Sequence, residues 1–96
     1  MRIISQNGDL DINYDQHTVC INAQDHRQII AFPFSVTDNE FGHILGDYAT
    51  YISALDVMQQ IREAYKGSAQ ETEYGYFVKF ENYVFEMPHA DEVKDK

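Results

Sequence analysis

Oxygen-bearing side chains at alternate positions, as in Asp9-x-Asp11-x-Asn13-x-Asp15, are how a calcium loop of the EF-hand kind begins. The rest of that loop is missing. Tyr14 stands where the sharp turn needs glycine, and Cys20 where a bidentate glutamate would close the shell. Leu10, Ile12 and Tyr14 alternate with the polar residues as a half-buried strand requires. The run therefore reads as a strand with one acidic face in water, incidental Ca²⁺ or Mg²⁺ binding being the alternative. His17 and Cys20, three residues apart, would point to opposite faces of a strand. A zinc site takes about four ligands, and no second cysteine exists to supply the usual pairs. His26, His43 and His89 fall in a turn, a strand and a tail. No metal site and no cofactor are expected.

Nucleophilic chemistry finds no better setting. Ser5, Ser35, Ser53 and Ser68 lack the Gly-x-Ser-x-Gly context, and Cys20 lies in mid-strand without a catalytic signature around it. Gly42 and Gly46 do not make a phosphate-binding pattern. With 16 Asp and Glu residues some carboxylate pair will always lie close in space, so an acid–base dyad is neither excluded nor singled out. The expectation is a protein that is not an enzyme.

What stands out is charge. From Ile3 to Ile61 the only Lys or Arg is Arg27, against Asp9, Asp11, Asp15, Asp25, Asp38, Glu40, Asp47 and Asp56. The chain carries 16 acidic and 7 basic residues, a formal charge of -9 over 96 residues. Phosphate contacts need Lys and Arg, so direct binding to DNA, RNA or anionic lipid is disfavoured. Asp9, Asp11, Asp15, Asp38, Glu40 and Asp47 form a candidate acidic partner surface. A 44% apolar fraction can still build one core in a chain of this length. The lone Cys20 makes no internal disulfide and points to a reducing cytoplasm, as a buried thiol or, alternatively, as the bridge of a dimer. The opening MRIISQNGD lacks the pattern of a signal peptide, and no stretch approaches the roughly 18 apolar residues of a membrane span.

The elements that must position these residues follow from periodicity. A short strand at 2–5 precedes Asn7-Gly8, a two-residue hairpin signal. Strands are expected at 9–15, 17–22 and 28–34, with Pro33 relegating the end of the last to an edge or bulge. A loop is expected at 36–41, then a strand from 42 or 43 to 49 weakened by Gly46. One helix is predicted over 51–66. Ala54, Leu55, Met58, Ile61 and Tyr65 make its apolar stripe, Thr50 is the favoured N-cap and Gly67 is the expected left-handed residue past its end. A polar connector at 68–72 leads to strands at 74–80 and 83–87, predicted to form a hairpin. In that region Tyr74, Tyr76, Phe77, Phe80, Tyr83 and Phe85 crowd together. Core packing accounts for most of them, and Tyr74, Phe77 and Tyr83 form a candidate aromatic interface.

The opening Met1-Arg2-Ile3-Ile4-Ser5, Gly46-x-Tyr48-x-Thr50, the helix Ala54-x-x-x-Met58-x-x-Ile61-x-x-Ala64-Tyr65 and the closing Val84-Phe85-x-Met87-Pro88 resemble one group. It comprises small uncharacterised proteins of Gram-positive bacteria, their phages and mobile elements. The resemblance spans the N-terminus and the second half but not residues 23–43. It implies a cytoplasmic accessory protein and carries no catalytic residue across.

The resulting expectation is α+β: an antiparallel sheet of about five strands with the 51–66 helix packed on one face, one domain over 1–88 and a charged flexible tail at 89–96. The expected function is a non-enzymatic accessory role in binding another protein, alone or as a homodimer. The alternative is an acidic nucleic-acid mimic that inhibits a host defence or nucleic-acid-binding protein. Clustering of the acids on one face would favour the mimic.

Overall fold

Alternation near the N-terminus draws the first two strands together. β1 (Arg2–Ile4) and β2 (Asp11–Asn13) pair antiparallel with Ile3 opposite Ile12. Both isoleucines are buried, while Arg2, Asp11 and Asn13 stay in water. The computed structural model of the chain describes residues 1–34, 42–67, 69–71, 77–79 and 83–92. The Asn7-Gly8 signal marks a real hairpin, but not a two-residue one. Ser5 N donates to Leu10 O at 2.9 Å and closes a longer loop. Gly8 takes φ 81°, the left-handed region that glycine enters without steric cost. The buried Ser5 hydroxyl organises this loop, donating to Asn7 Oδ1 at 2.8 Å and accepting from Leu10 N at 3.0 Å.

The strand expected over 9–15 is shorter than its alternation suggested. After Asn13 the backbone turns into a 3₁₀ segment, Tyr14–Gln16, whose first N–H groups are met by the Asn13 side chain: Asp15 N donates to Asn13 Oδ1 at 3.0 Å. Asp15 thus leaves the strand face on which Asp11 sits. β3 (His17–Ile21) and β4 (Gln28–Pro33) then pair antiparallel, Val19 opposite Ala31. The turn between them carries Asp25 and Arg27, ion-paired at 3.2 Å. β5 (His43–Asp47) adds to the other side of β4. Pro33 sits at the end of a central strand, not on an edge strand, and is tolerated at its last position, beyond the Ala31–His43 pair where the β4–β5 register ends.

The register of β5 shifts: Ile29 faces Gly46 while Ile30 faces Ile44, leaving Leu45 as the extra residue of a bulge. Leu45 and Tyr48 both reach the core as a result. Gly46, expected as a weakness, is a requirement. A Cβ there would stand 2.8 Å from the Tyr48 ring and its hydroxyl.

The helix α1 (Tyr51–Gly67) forms as predicted. Thr50 caps it, its Oγ1 accepting from Ser53 N at 3.0 Å. Its buried stripe is Ala54, Val57, Met58 and Ile61, the i, i+3, i+4, i+7 spacing of one helical face. Leu55, assigned to that stripe from sequence, lies outside it. Gly67 is the last helical residue and not the residue past the end. The stripe packs against β3 and β4.

The strands after α1 depart most from expectation. The connector at 68–72 contains a strand, β6 (Ala69–Glu71), which pairs antiparallel with β7 (Phe77–Lys79). The predicted hairpin between the last two strands is replaced. β8 (Val84–Glu86) joins β1 in parallel, Phe85 beside Ile3. The ladder extends through Arg2 N to Tyr83 O at 2.8 Å and Met87 N to Ile4 O at 2.9 Å. A parallel pair needs a long crossover, and here the rest of the fold supplies it.

The chain is α+β; its described residues form one α-helix and two three-stranded sheets, β2-β1-β8 and β3-β4-β5, beside the β6-β7 ribbon. They are separate sheets, not one antiparallel sheet of five strands. One core joins both three-stranded sheets to the helix: Ile3 and Ile12 from the first, Ile29 and Leu45 from the second, Val57 and Ile61 from α1. Gln6 ties the sheets together at one end, accepting from Asp47 N at 2.9 Å and donating to Asp47 O and Pro88 O at 3.1 and 3.3 Å. In the tail, Ala90–Glu92 forms a 3₁₀ turn.

Candidate interaction surface

Of the acidic candidates among the described residues, Asp9, Asp11 and Asp15 have local partners. Asp38 and Glu40 lie outside the described residues. Asp11 is ion-paired with Arg2. Asp15 accepts from the Met1 ammonium at 3.3 Å through Oδ2 and from the Tyr65 hydroxyl at 2.9 Å through Oδ1. Asp9 folds back into the hairpin loop, where Asn7 Nδ2 donates to it at 3.2 Å. Asp47 is exposed at the end of β5, its backbone held by Gln6. Asp25, outside the candidate set, is bound by Arg27 through side chain and backbone, which holds its carboxyl below the usual range. Arg2, Arg27 and the Met1 amine thus each pair with one acid locally.

The aromatic candidates divide as well. Tyr74 lies outside the described residues, and Phe77 is in β7, away from Tyr83 in sheet order. Tyr83 and Val84 are exposed at the start of β8, while Phe85 packs on the core. Cys20, half-buried on β3 opposite Ile30, has its thiol pushed up by burial. A thiol held in its protonated form is a poor nucleophile.

The arrangement that charge and aromatic counting missed is on α1. Tyr51, Ile52 and Leu55 are 47%, 51% and 39% exposed. Leu55 lies i+4 from Tyr51 and i+3 from Ile52, which brings it beside both, with Ile52 roughly opposite the buried Ala54–Ile61 stripe. The His26 ring lies 5.2 Å from that of Tyr51, tilted by 41°, and extends the patch onto the β3–β4 turn. Polar residues border it: Gln60 Nε2 donates to Asp56 at 3.2 Å, and Arg62 to Gln59 at 3.2 Å. An apolar centre inside a polar rim is how protein-binding surfaces are built. The signal in sequence was present but overlooked: Tyr51-Ile52 and Leu55 widen the apolar arc of the helix beyond what one core-facing stripe can bury.

Among the described residues no group of three or more His, Cys, Asp or Glu is placed to hold a metal ion, and no helix is long and apolar enough to cross a membrane. The chain matches no known family, no curated protein and no solved structure.

Proposed function

We propose that this chain is a non-enzymatic accessory protein that works in the cytoplasm by binding another protein through the exposed first turns of α1. The observation that carries the reading is the Tyr51–Ile52–Leu55 patch, three large apolar side chains together in water on the helix that also supplies the core, with Ile52 on the side away from the buried stripe. Anchors at i, i+1 and i+4 suit insertion of the helix into an apolar groove on the partner. The lone Cys20 and the expected resemblance to small uncharacterised proteins of Gram-positive bacteria, their phages and mobile elements fit the same reading.

The acidic-mimic alternative draws on the formal charge of -9. Local pairing of Asp11, Asp15 and Asp25 weighs against it.

The test is capture of partners on immobilised protein at low and high salt, comparing wild type with Ile52→Lys/Leu55→Lys. Both replaced side chains are exposed, so circular dichroism and thermal midpoint should be preserved. A partner retained in high salt and lost with the double variant supports the helix-face reading. A partner retained by the double variant and released by salt would reverse it in favour of the mimic, because screening acts on charge and not on apolar contact.

A further inference from the structure

A second feature lies at the opposite end of α1. A cavity of about 280 Å³ is lined by Tyr14, Asp15, His17, Val19, Phe34 and Tyr65. Three elements build it: the 3₁₀ turn into β3, the residue after β4 and the last turns of the helix. Its apolar walls are mostly aromatic, with the Tyr14 and Tyr65 rings 4.9 Å apart and tilted by 50°.

Its polar atoms are matched to one ligand chemistry. Asp15 is a carboxylate already receiving a hydrogen bond from Tyr65 and an ion pair from the Met1 ammonium. His17 Nδ1 lies 2.8 Å from Asn13 O. A carbonyl can only accept, so Nδ1 carries a proton and donates to it. The carbonyl end of the α1 dipole is nearby, at Tyr65–Gly67. A carboxylate and aromatic rings together favour a cation: rings attract it through their π-faces, and the carboxylate and helix end through charge. The formal charge of -9 would draw such a ligand in. An amine already docks at this corner, that of Met1.

We infer that this cavity is a binding site for an organic cation, the head of an alkylammonium compound or of a methylated or unmodified basic side chain. It is separate from the helix patch and does not depend on it.

The probes are choline, its neutral isostere 3,3-dimethylbutan-1-ol, and a short peptide carrying trimethyl-lysine, each titrated into ¹⁵N-labelled protein at low salt. Saturable shifts at the amides of His17, Val19 and Tyr65 with choline or with the peptide are expected, and tighter binding of the peptide would assign the ligand to a protein side chain. Phe34 is 63% exposed, so Phe34→Ala should keep the fold while weakening the cation about five-fold, the effect of losing one cation–π contact. Asp15→Asn provides a second variant and should weaken it at least as much. Equal binding of the neutral isostere would overturn the assignment, leaving only an apolar hollow. So would shifts that fail to saturate, or an affinity unchanged in both variants.

Discussion

Tyr48 shows how much one side chain can couple. Its ring covers Gly46, its backbone N–H donates to Arg27 O at 3.0 Å, and its hydroxyl donates to Pro88 O at 2.9 Å. It thereby fastens the C-terminal segment to the bulged strand. Gly46→Ala forces a methyl group into the ring, and overpacking of this kind costs about 1–3 kcal/mol; urea denaturation should show the loss. Tyr48→Phe keeps the ring and removes one hydrogen bond, for about 1 kcal/mol at neutral pH. Its second effect is on pH dependence. A phenol ionises near pH 10 in the unfolded chain, while burial, with Glu92 adding to it, holds the folded Tyr48 proton to higher pH. The folded state favours the protonated form, so that contribution is whole below about pH 10 and is lost as pH rises towards the folded value. Wild-type stability should fall on that alkaline limb, and Tyr48→Phe should flatten it. An equal slope in both proteins would contradict the assignment.

At the scale of elements, α1 was the most legible part of the chain. Thr50 and the apolar period lie within one local segment, where capping and side-chain spacing act without help from distant residues. Which apolar residues are buried was less legible. Leu55 is one position from the core-facing Ala54, and only the angle at which the helix meets β3 and β4 decides that Val57 goes in and Leu55 stays out. Ile61→Ala should cost about 3 kcal/mol, the range for emptying a core site. Leu55→Ala should change stability by less than about 0.5 kcal/mol, as surface changes do. Thr50→Ala should cost about 1 kcal/mol through the lost cap. Three denaturation curves check the set, and a Leu55 cost equal to that of Ile61 would mean that the sequence assignment was right. The acidic strand was legible in part: Asp11 and Ile12 alternate as read, but Asn13 caps the turn that carries Asp15 away. Alternation alone does not register a side chain that competes for its own backbone.

At the scale of the molecule, the pairing of β8 with β1 closes the fold. Met87 enters the same core as Ile3 and Phe85 packs against it, which brings the 83–87 segment beside the first strand. Truncation before Tyr83 would strip the core side chain Met87, costing about 2–5 kcal/mol, together with the half-buried Phe85, and leave β1 with an open edge. Against a typical total of about 5–15 kcal/mol, the shortened chain should be largely unfolded, with loss of cooperative urea unfolding as the readout. A truncated chain with an unchanged midpoint would show that β8 is peripheral. The same long-range pairing explains why the expected β7–β8 hairpin did not form. Neighbours in sequence are the default pairing, but beside β1 the Phe85 side chain packs against the core.

The sequence alone determined what depends on neighbours along the chain: the helix and its cap, the turn glycine, most strand positions, and the net negative charge. The tertiary structure decided what depends on residues far apart in sequence. It split the strands into two three-stranded sheets, since burial at Ile3 and Ile29 is satisfied by different partners. It gave Asp11, Asp15 and Asp25 their cations, because ion pairing depends on distance in space, not on composition. It also left Tyr51, Ile52 and Leu55 in water, because a helix can press only one face against a core.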